Sequence, residues 1–444
     1  MARRRRRKPI PTEPVTVEIA NLSHEGRGVG RIDGKTVFVD GALPGETVSM
    51  KYAAVHGKYD EGYVERVIEA SDDRVEPACE HFALCGGCSL QHMANAAQIE
   101  FKQSILAEHF QHFGQLEPEQ WLPPLQADTL GYRKKARLGV RYVTKKQSCL
   151  VGFREKRSNF ITEIESCPVL ISQVSDLIMP LRKMIGAMDA KQSTPQIELA
   201  AGDTGLAFVV RHMEPLSESD QNQWIEFAKT HQVELYFQPK GPTTVNKVYP
   251  QDDNQRLQYR LDDFSVELNF HPMDFTQVNS SINQKMVSLA IDLLDLQHNE
   301  TVLDLFCGLG NFTIPLATKA HHVIGVEGVE TMVKRGYENA SHNNLSNIDF
   351  YACDLQKDFS EQPWAKQGFD KILIDPPRSG ALDVVEYIDK FNAKKIVYVS
   401  CNPATLARDA GVLKQKGYRL VSAGVMDMFP HTAHVESIAL FDKQ

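Results

Sequence analysis

The stretch DLFCGLGN at residues 304–311 decides the fold of the carboxyl-terminal part of the chain. An apolar strand, TVLDLF, runs here into a glycine-rich turn that a helical pattern follows. From about Met273 onwards the same alternation recurs, with further strands at HHVIGVE, IDFYACD, DKILID and KIVYVS. Strands that alternate with helices predict a doubly wound α/β sheet. YRLVSAGVMDMFP and HVESIALF predict a hairpin that closes this sheet.

Three details of the turn favour S-adenosylmethionine over a nicotinamide dinucleotide as its ligand. The glycine spacing is not GxGxxG, and Asp304 precedes the turn, where a methionine ammonium rather than a pyrophosphate would sit. Glu327 ends the second strand, where it is placed to take ribose hydroxyls, and Asp354 ends the third, where it is placed to accept from an adenine amino group. A glycine turn in a generic α/β domain is the alternative interpretation.

Reactive side chains are predicted at the ends of the fourth and fifth strands. The fourth ends in Asp375-Pro-Pro, a motif that amine methyltransferases follow with an aromatic residue, whereas Arg378 follows it in this chain. The fifth ends in Ser-Cys401-Asn-Pro, at the strand end where this fold places ligands. A single cysteine in a core strand is more often inert packing, but the chain turns here at a proline, which favours a functional thiol.

Methylation at carbon 5 of uracil would need such a cysteine. This carbon is a weak nucleophile until a thiolate adds to carbon 6 and converts it into an enolate-like centre. After methyl transfer, a base must remove the carbon 5 proton so that the thiol can leave. Glu436, in the His-Val-Glu sequence of the last predicted strand, is the candidate base.

Several motifs together resemble those of the RNA (uracil-5)-methyltransferase family. They are DLFCGLGNFT, IDPPRSG, VSCNPATLARD and HVES, together with the FTQVN sequence at residues 275–279, which is similar to that family's FxQVN motif. The resemblance implies that Cys401 is the nucleophile, that Glu436 is the base, and that Asp375 also contacts a uracil flipped out of its stack. The cofactor-side residues that it implies are Gln277, Phe306, Asn311, Glu327, Asp354 and Asp375.

Four of the eight cysteines are spaced as metal ligands. Cys79, Cys85 and Cys88 form C-x5-C-G-G-C, and Cys167 precedes a proline far downstream. Four thiolates suit zinc or a [4Fe–4S] cluster. The irregular trio favours iron–sulfur and resembles the cluster of the family's 23S rRNA branch, with zinc or unligated thiols as alternatives. Eight cysteines without a secretory signal predict reduced thiols and a cytoplasmic protein.

The amino-terminal part carries a second set of RNA-binding signals. Residues 1–11 form a basic tail, and residues 12–70 read as short strands with glycine turns, which predicts a five-stranded, OB-like barrel. This barrel resembles a TRAM domain, an RNA-binding module. A helical segment is predicted at residues 96–124, and we expect it to pack on the catalytic domain.

A cluster of basic residues with interleaved aromatics follows, although the net charge of −8 argues weakly against nucleic acid. It suits a phosphate backbone with unpaired bases, or else a solvated charged face. Its members are Arg133, Lys134, Lys135, Arg137, Arg141, Lys145, Lys146, Arg154, Lys156 and Arg157, with Tyr132, Tyr142, Phe153 and Phe160 among them.

The length of 444 residues predicts two or three domains. We expect a Rossmann-like methyltransferase domain with a seven-stranded sheet at residues 271–444, and a mixed, β-rich iron–sulfur and RNA-binding domain at 71–95 and 125–270. The predicted partner is 23S rRNA, bound by a monomer without a membrane. A tRNA substrate, or an RNA-binding scaffold with a vestigial methyltransferase domain, are the alternatives.

Overall fold

The computed structural model describes residues 9–444, so the predicted basic tail from Arg3 to Lys8 lies outside the described residues. Within them, no helix is both long and apolar enough to cross a membrane. The chain forms two compact units. The first contains the residues up to 102 together with 155–158 and 429–434, and the second contains 103–154, 159–428 and 435–444.

The first unit contains a closed five-stranded barrel, which confirms the predicted barrel. The strands are β1 (Val15–Leu22), β2 (Gly28–Ile32), β3 (Lys35–Asp40), β4 (Thr47–Val55) and β5 (Tyr59–Glu69). They are joined in the order β1-β2-β3-β5-β4, and β4 closes the barrel on β1. Alternate apolar side chains fill the interior, among them Val37, Val39 and Val48, because successive residues of a strand point to opposite faces.

The second unit begins with the last part of helix α1 (Asn95–His109) and a two-residue strand, β6 (Gln120–Trp121). A mixed six-stranded sheet follows, in the order β12-β11-β10-β9-β7-β8. Its strands are β7 (Lys135–Val143), β8 (Ser148–Gly152), β9 (Gln196–Ala201), β10 (Leu206–Arg211), β11 (Glu234–Gln238) and β12 (Asn246–Tyr249). Its helices are α2 (Ser172–Ser175), α3 (Ile178–Ala187) and α4 (Glu218–His231).

The carboxyl-terminal part of the second unit is an α/β layer. A hairpin of β13 (Leu257–Leu261) and β14 (Val266–Phe270) leads into it. The remaining strands are β15 (Thr301–Leu305), β16 (His322–Glu327), β17 (Ile348–Ala352), β18 (Lys371–Ile374), β19 (Lys395–Ser400), β20 (Tyr418–Met426) and β21 (Glu436–Lys443). The helices are α5 (Ser280–Leu294), α6 (Thr313–Ala317), α7 (Glu330–His342), α8 (Leu382–Tyr387) and α9 (Pro403–Gln415).

The prediction of a seven-stranded sheet is wrong, because the sheet has eight strands. Its order is β17-β16-β15-β18-β19-β21-β20-β6. Strands β15 to β19 are parallel, whereas β21 is antiparallel to both of its neighbours. The eighth strand is β6, which pairs in parallel with β20 through Gln120 and Trp121. A two-residue strand has no periodicity of its own, so its sequence carries no strand signal.

The predicted iron–sulfur domain is also wrong. Among residues 9–444, no group of three or more His, Cys, Asp or Glu side chains is arranged to hold a metal ion. The four cysteines that were predicted as ligands are divided between the units, with Cys79, Cys85 and Cys88 in the first and Cys167 in the second. Spacing along the chain therefore suggested a ligand set that the fold does not assemble.

Candidate active site

Cys401, Glu436 and Asp375 are placed by adjacent strands at one edge of the sheet. Cys401 directly follows β19, and Glu436 is the first residue of β21. These strands pair with Ser400 opposite Ser437, so Cys401 and Glu436 occupy the next positions in the register. Asp375 directly follows β18, the parallel neighbour of β19. The sheet thus brings together the three residues that the sequence predicts to be catalytic.

The charges of this site act on the Cys401 thiol. The pKa of this half-buried thiol is raised to about 11, first by burial and then by the nearby carboxylates of Glu436 and Asp375. The Arg378 guanidinium lowers the same pKa. Burial also raises the pKa of Asp375 to about 7. Cys401 is therefore mainly a thiol at neutral pH, and Arg378 is the cation that favours its thiolate.

Hydrogen bonds join the loop after Asp375 to the helix after Cys401. The Asn402 side chain caps α9 by accepting from the Ala404 backbone N–H, and its amide donates to the Arg378 carbonyl at 2.9 Å. Arg408, one helical turn further along, donates to the Ser379 carbonyl at 2.9 Å. The backbone on either side of the thiol is therefore fixed to the backbone that follows Asp375.

Buried Asp409 completes this connection. Its Oδ2 accepts hydrogen bonds from the Ala381 backbone N–H and the Tyr398 hydroxyl, both at 2.7 Å, and its Oδ1 accepts from Arg408. Sequence reasoning missed this residue, although a signal exists. Asp409 lies on the buried stripe of α9 with Leu406 and Leu413, and an acid on an apolar helix face needs dedicated partners.

The glycine-rich turn after β15 has the backbone shape that a closely bound ligand requires. Phe306 has a φ of 63°, which is a strained conformation for a residue with a side chain. Gly308 has a φ of 56°, and a Cβ added there would meet no atom within 4 Å, so the space beside it is open. The Gly308 backbone N–H donates to the Glu327 carboxylate at 3.1 Å. This contact joins the turn to the end of β16.

Asp304 supplies an unpaired acceptor at the same turn. Its side chain is fully buried, and its Oδ2 accepts from the Thr313 hydroxyl at 2.5 Å, while its Oδ1 has no hydrogen-bond partner among the described residues. Burial and the neighbouring Asp375 and Glu327 charges raise the pKa of Asp304 to about 8. Three acids beside one open turn suit a ligand with an ammonium, a sulfonium and ribose hydroxyls, and S-adenosylmethionine has all of these.

Asn311 and Asp354, both predicted on the cofactor side, have different surroundings. The Asn311 amide is held by Asn283 and by the Tyr259 hydroxyl, which donates to Asn311 Oδ1 at 2.8 Å. Asp354 is exposed after β17 and pairs with Lys357 at 3.0 Å, which lowers the pKa of its carboxyl. Asn311 is thus fixed in place by the protein, whereas Asp354 lies open at the edge of the sheet.

Gln277 lies on the connection between β14 and α5. The segment around it is anchored to the start of the central sheet, because the Lys134 backbone N–H donates to the Val278 carbonyl at 2.9 Å and Arg133 forms a β-bridge with Asn279. The Asn279 side chain also caps α5. Part of the predicted basic cluster is therefore next to this segment.

The predicted basic cluster is only partly available to a ligand. On β7, Arg137 and Arg141 share one exposed face, and Arg137 pairs with Glu198 at 2.8 Å. Lys134 pairs with Asp203 at 2.8 Å, and Lys135 is half-buried. The solvent-facing part of the cluster therefore begins after Lys135.

Comparison with known proteins supports these assignments. Residues 94–444 match the family model described as tRNA (Uracil-5-)-methyltransferase, and residues 12–62 match the TRAM domain model. The chain is 55% identical over 443 residues to the 23S rRNA (uracil(1939)-C(5))-methyltransferase RlmD of Alcanivorax borkumensis, with 100% of this chain and 99% of the relative covered. It is 51% identical over 430 residues to RlmD of Legionella pneumophila strain Paris, with 96% and 97% covered.

A solved structure is similar over almost the same length. The tRNA (uracil-54, C5)-methyltransferase of Pyrococcus abyssi, in complex with S-adenosyl-L-homocysteine, superposes with a TM-score of 0.73. It is 25% identical in sequence, and the match covers 96% of this chain and 100% of the other. The family model alone spans more than half of the sequence. The chain therefore belongs to the tRNA (uracil-5-)-methyltransferase family.

Proposed function

We propose that this protein transfers a methyl group from S-adenosylmethionine to carbon 5 of a uridine in 23S rRNA. The register of β19 and β21 carries the proposal, because it puts Cys401 beside Glu436 at the edge where Asp375 also ends its strand. The relatives of highest identity are named for uracil 1939 of 23S rRNA. We infer that the corresponding uridine is the target here.

In the proposed reaction, Cys401 forms a covalent bond with the uracil base. The Cys401 thiol loses its proton, and its sulfur adds to carbon 6, which moves the electron pair of the ring double bond to carbon 5. That pair forms the new bond to the methyl group, whose former bonding pair stays on the sulfonium sulfur of the cofactor. Arg378 favours the thiolate by its charge.

Glu436 completes the turnover by removing the proton from carbon 5. The electron pair of that C–H bond re-forms the ring double bond and expels the Cys401 sulfur from carbon 6. Glu436 is buried beside Cys401 in the register, which suits a base that acts on the same ring. Asp375, which is close to both, is proposed to contact the flipped uracil.

The cofactor would be held around the turn after β15. S-adenosylmethionine supplies an electrophilic methyl on a sulfonium. Asp304 is placed to accept from its ammonium, because one carboxylate oxygen has no other partner among the described residues. Glu327 would take the ribose hydroxyls, Asp354 the adenine amino group, and Phe306 and Gln277 would line the same site.

RNA binding is assigned to the barrel at residues 12–70 and to the exposed part of the basic cluster. The TRAM domain match at residues 12–62 supports the first assignment. A tRNA substrate is the second candidate, since the similar solved structure is named for uracil 54 of tRNA. Methylation of separate rRNA and tRNA pools with labelled cofactor, followed by mapping of the modified base, distinguishes the two. Labelling of tRNA alone would contradict the proposal.

The covalent mechanism predicts different defects for the nucleophile and the base. Cys401→Ala should bind cofactor and transfer no methyl group, because carbon 5 is never activated. Glu436→Gln should transfer the methyl but retain the carbon 5 proton. It should therefore accumulate a methylated protein–RNA adduct that survives denaturation and is seen on a denaturing gel.

Two controls complete this experiment. RNA with 5-fluorouridine at the target should trap the unsubstituted protein in the same adduct, because fluorine cannot leave as a cation. The double variant that lacks both Cys401 and Glu436 should form none. Methylation by Cys401→Ala, or an adduct without Cys401, would contradict the covalent mechanism. Slow turnover by Glu436→Gln would contradict only the assignment of the base.

A further inference from the structure

The segment from Pro272 to Asn279, which carries Gln277, is fixed by side chains from two distant parts of the chain. Lys135, the first residue of β7, donates from Nζ to the Pro272 carbonyl at 3.0 Å and to the Asp274 carbonyl. One ammonium thus joins two backbone carbonyls of the same turn. A lysine that serves RNA would instead direct its donors towards solvent and phosphate.

The second attachment comes from helix α7. The Arg335 Nε donates to the Asp274 carboxylate at 3.0 Å, and both side chains are buried. The same carboxylate accepts from the His271 backbone N–H at 2.7 Å, which closes the turn on itself. Helix α7 begins three residues after Glu327. Arg335 therefore links the Gln277 segment to the element that follows the proposed ribose-binding acid.

The surroundings of Lys135 leave it little other use. It is half-buried, and burial lowers the pKa of its ammonium to about 8. A desolvated ammonium needs partners that compensate for the lost water, and the two carbonyls provide them. Lys134, its neighbour in the chain, instead places its side chain against Asp203 at 2.8 Å. Adjacent lysines of one cluster therefore have different partners.

We propose that Lys135 and Arg335 are positioning residues that hold the Pro272–Asn279 turn and thereby set Gln277 for cofactor binding. The proposal rests on the proposed function, in which Gln277 is on the cofactor side. It departs from the sequence prediction, which placed Lys135 with Arg133 and Lys134 in an RNA-binding cluster. The two interpretations predict different consequences for the same substitution.

The test compares Lys135→Met with Lys134→Met, which removes a charge of the same kind from the next position. Binding of S-adenosylmethionine is measured by calorimetry without RNA, and RNA binding is measured across a salt series. Lys135→Met should weaken cofactor binding by about tenfold, and its RNA salt slope should equal that of the unsubstituted protein. Lys134→Met should bind the cofactor as the unsubstituted protein does, since its backbone bond to Val278 is retained.

The opposite result would overturn the proposal: unchanged cofactor affinity for Lys135→Met together with a flatter salt slope means that Lys135 contacts phosphate. Arg335→Lys covers the case in which Lys135→Met does not fold. It keeps a positive charge near Asp274 but cannot contact Asp274 and Glu338 together, as Arg335 does. Unchanged cofactor affinity in that variant also overturns the proposal. Absence of cofactor binding by the unsubstituted protein would instead contradict the proposed function.

Discussion

Asp304, Asp375 and Cys401 each combine a reactive or charged group with burial, and burial raises the pKa of all three. Desolvation disfavours the charged form of each group, so each raised pKa measures a cost that the fold accepts. A cation offsets such a cost most directly. Arg378 provides one for Cys401, and the cofactor would provide one for Asp304. Residues of this kind occur where function rather than stability selects the side chain.

Asp304→Asn should make the protein more stable and weaken its cofactor binding. The pKa of Asp304 is raised from 3.8 to about 8, so the folded protein holds this proton more tightly than the unfolded chain does. The free energy of unfolding therefore falls as the pH rises from about 4 to about 8. Asparagine removes the buried charge, and unfolding in urea at pH 8.5 should show a gain of about 1–4 kcal/mol.

The cofactor should respond to pH in the opposite sense. Ionised Asp304 attracts an ammonium, so affinity for S-adenosylmethionine should increase between pH 6 and pH 8.5, and Asp304→Asn should lose most of that increase. Thr313→Val is the control, because it removes the hydroxyl that donates to Asp304 and leaves the carboxylate in place. A pH profile of Asp304→Asn that matches the unsubstituted protein would exclude Asp304 from the ammonium site.

Strand β19 and helix α9 position the active site as one structural element. Cys401 lies at their junction, and Asp409 joins the helix to the end of the strand and to the loop after Asp375. Tyr398, on the strand itself, supplies a hydroxyl to that carboxylate. A shift of α9 would therefore move the thiol relative to the loop that carries Asp375 and Arg378.

Tyr398→Phe should slow formation of the covalent adduct more than it affects cofactor binding. The substitution removes one donor to buried Asp409, which should cost about 1–3 kcal/mol of stability, and the connection that orients Cys401 is loosened. The rate is measured as gel-resolved adduct on 5-fluorouridine RNA. Tyr418→Phe is the matched control, because its hydroxyl donates at 2.8 Å to Ala393, before the start of β19. Equal adduct rates in both variants would exclude a positioning role for Tyr398.

Periodic elements could be predicted from the sequence, whereas elements defined by distant partners could not. The apolar runs of β15 to β19 and the alternation in the barrel strands are local patterns, and they form the predicted strands. β6 is a strand only because β20 lies beside it. Lys135 and the cysteines were misjudged for a related reason: charge and spacing are visible in the sequence, whereas the partner that a side chain meets is set by the fold.

The charge of the whole molecule is distributed unevenly, and this matters for RNA. The net charge is −8, yet one face of β7 exposes Arg137 and Arg141. The loop after β7 adds exposed Lys145 and Lys146. Since Lys135 bonds to backbone carbonyls, the phosphate-binding part of the cluster should be this exposed part.

Arg137→Ala combined with Arg141→Ala should therefore weaken RNA binding and flatten its dependence on salt. Each lost phosphate contact releases fewer counterions, so the slope of log affinity against log salt should decrease by about 0.7 per contact on unpaired RNA, or about 1.4 for the pair. Cofactor affinity should not change, because neither arginine touches the turn after β15 or the Gln277 segment. Lys229→Ala, an exposed lysine on α4 that pairs with Glu226, is the control for a general effect of charge. An equal slope in the double variant and in the control would identify the β7 face as a solvated surface, and it would leave the barrel to supply the phosphate contacts.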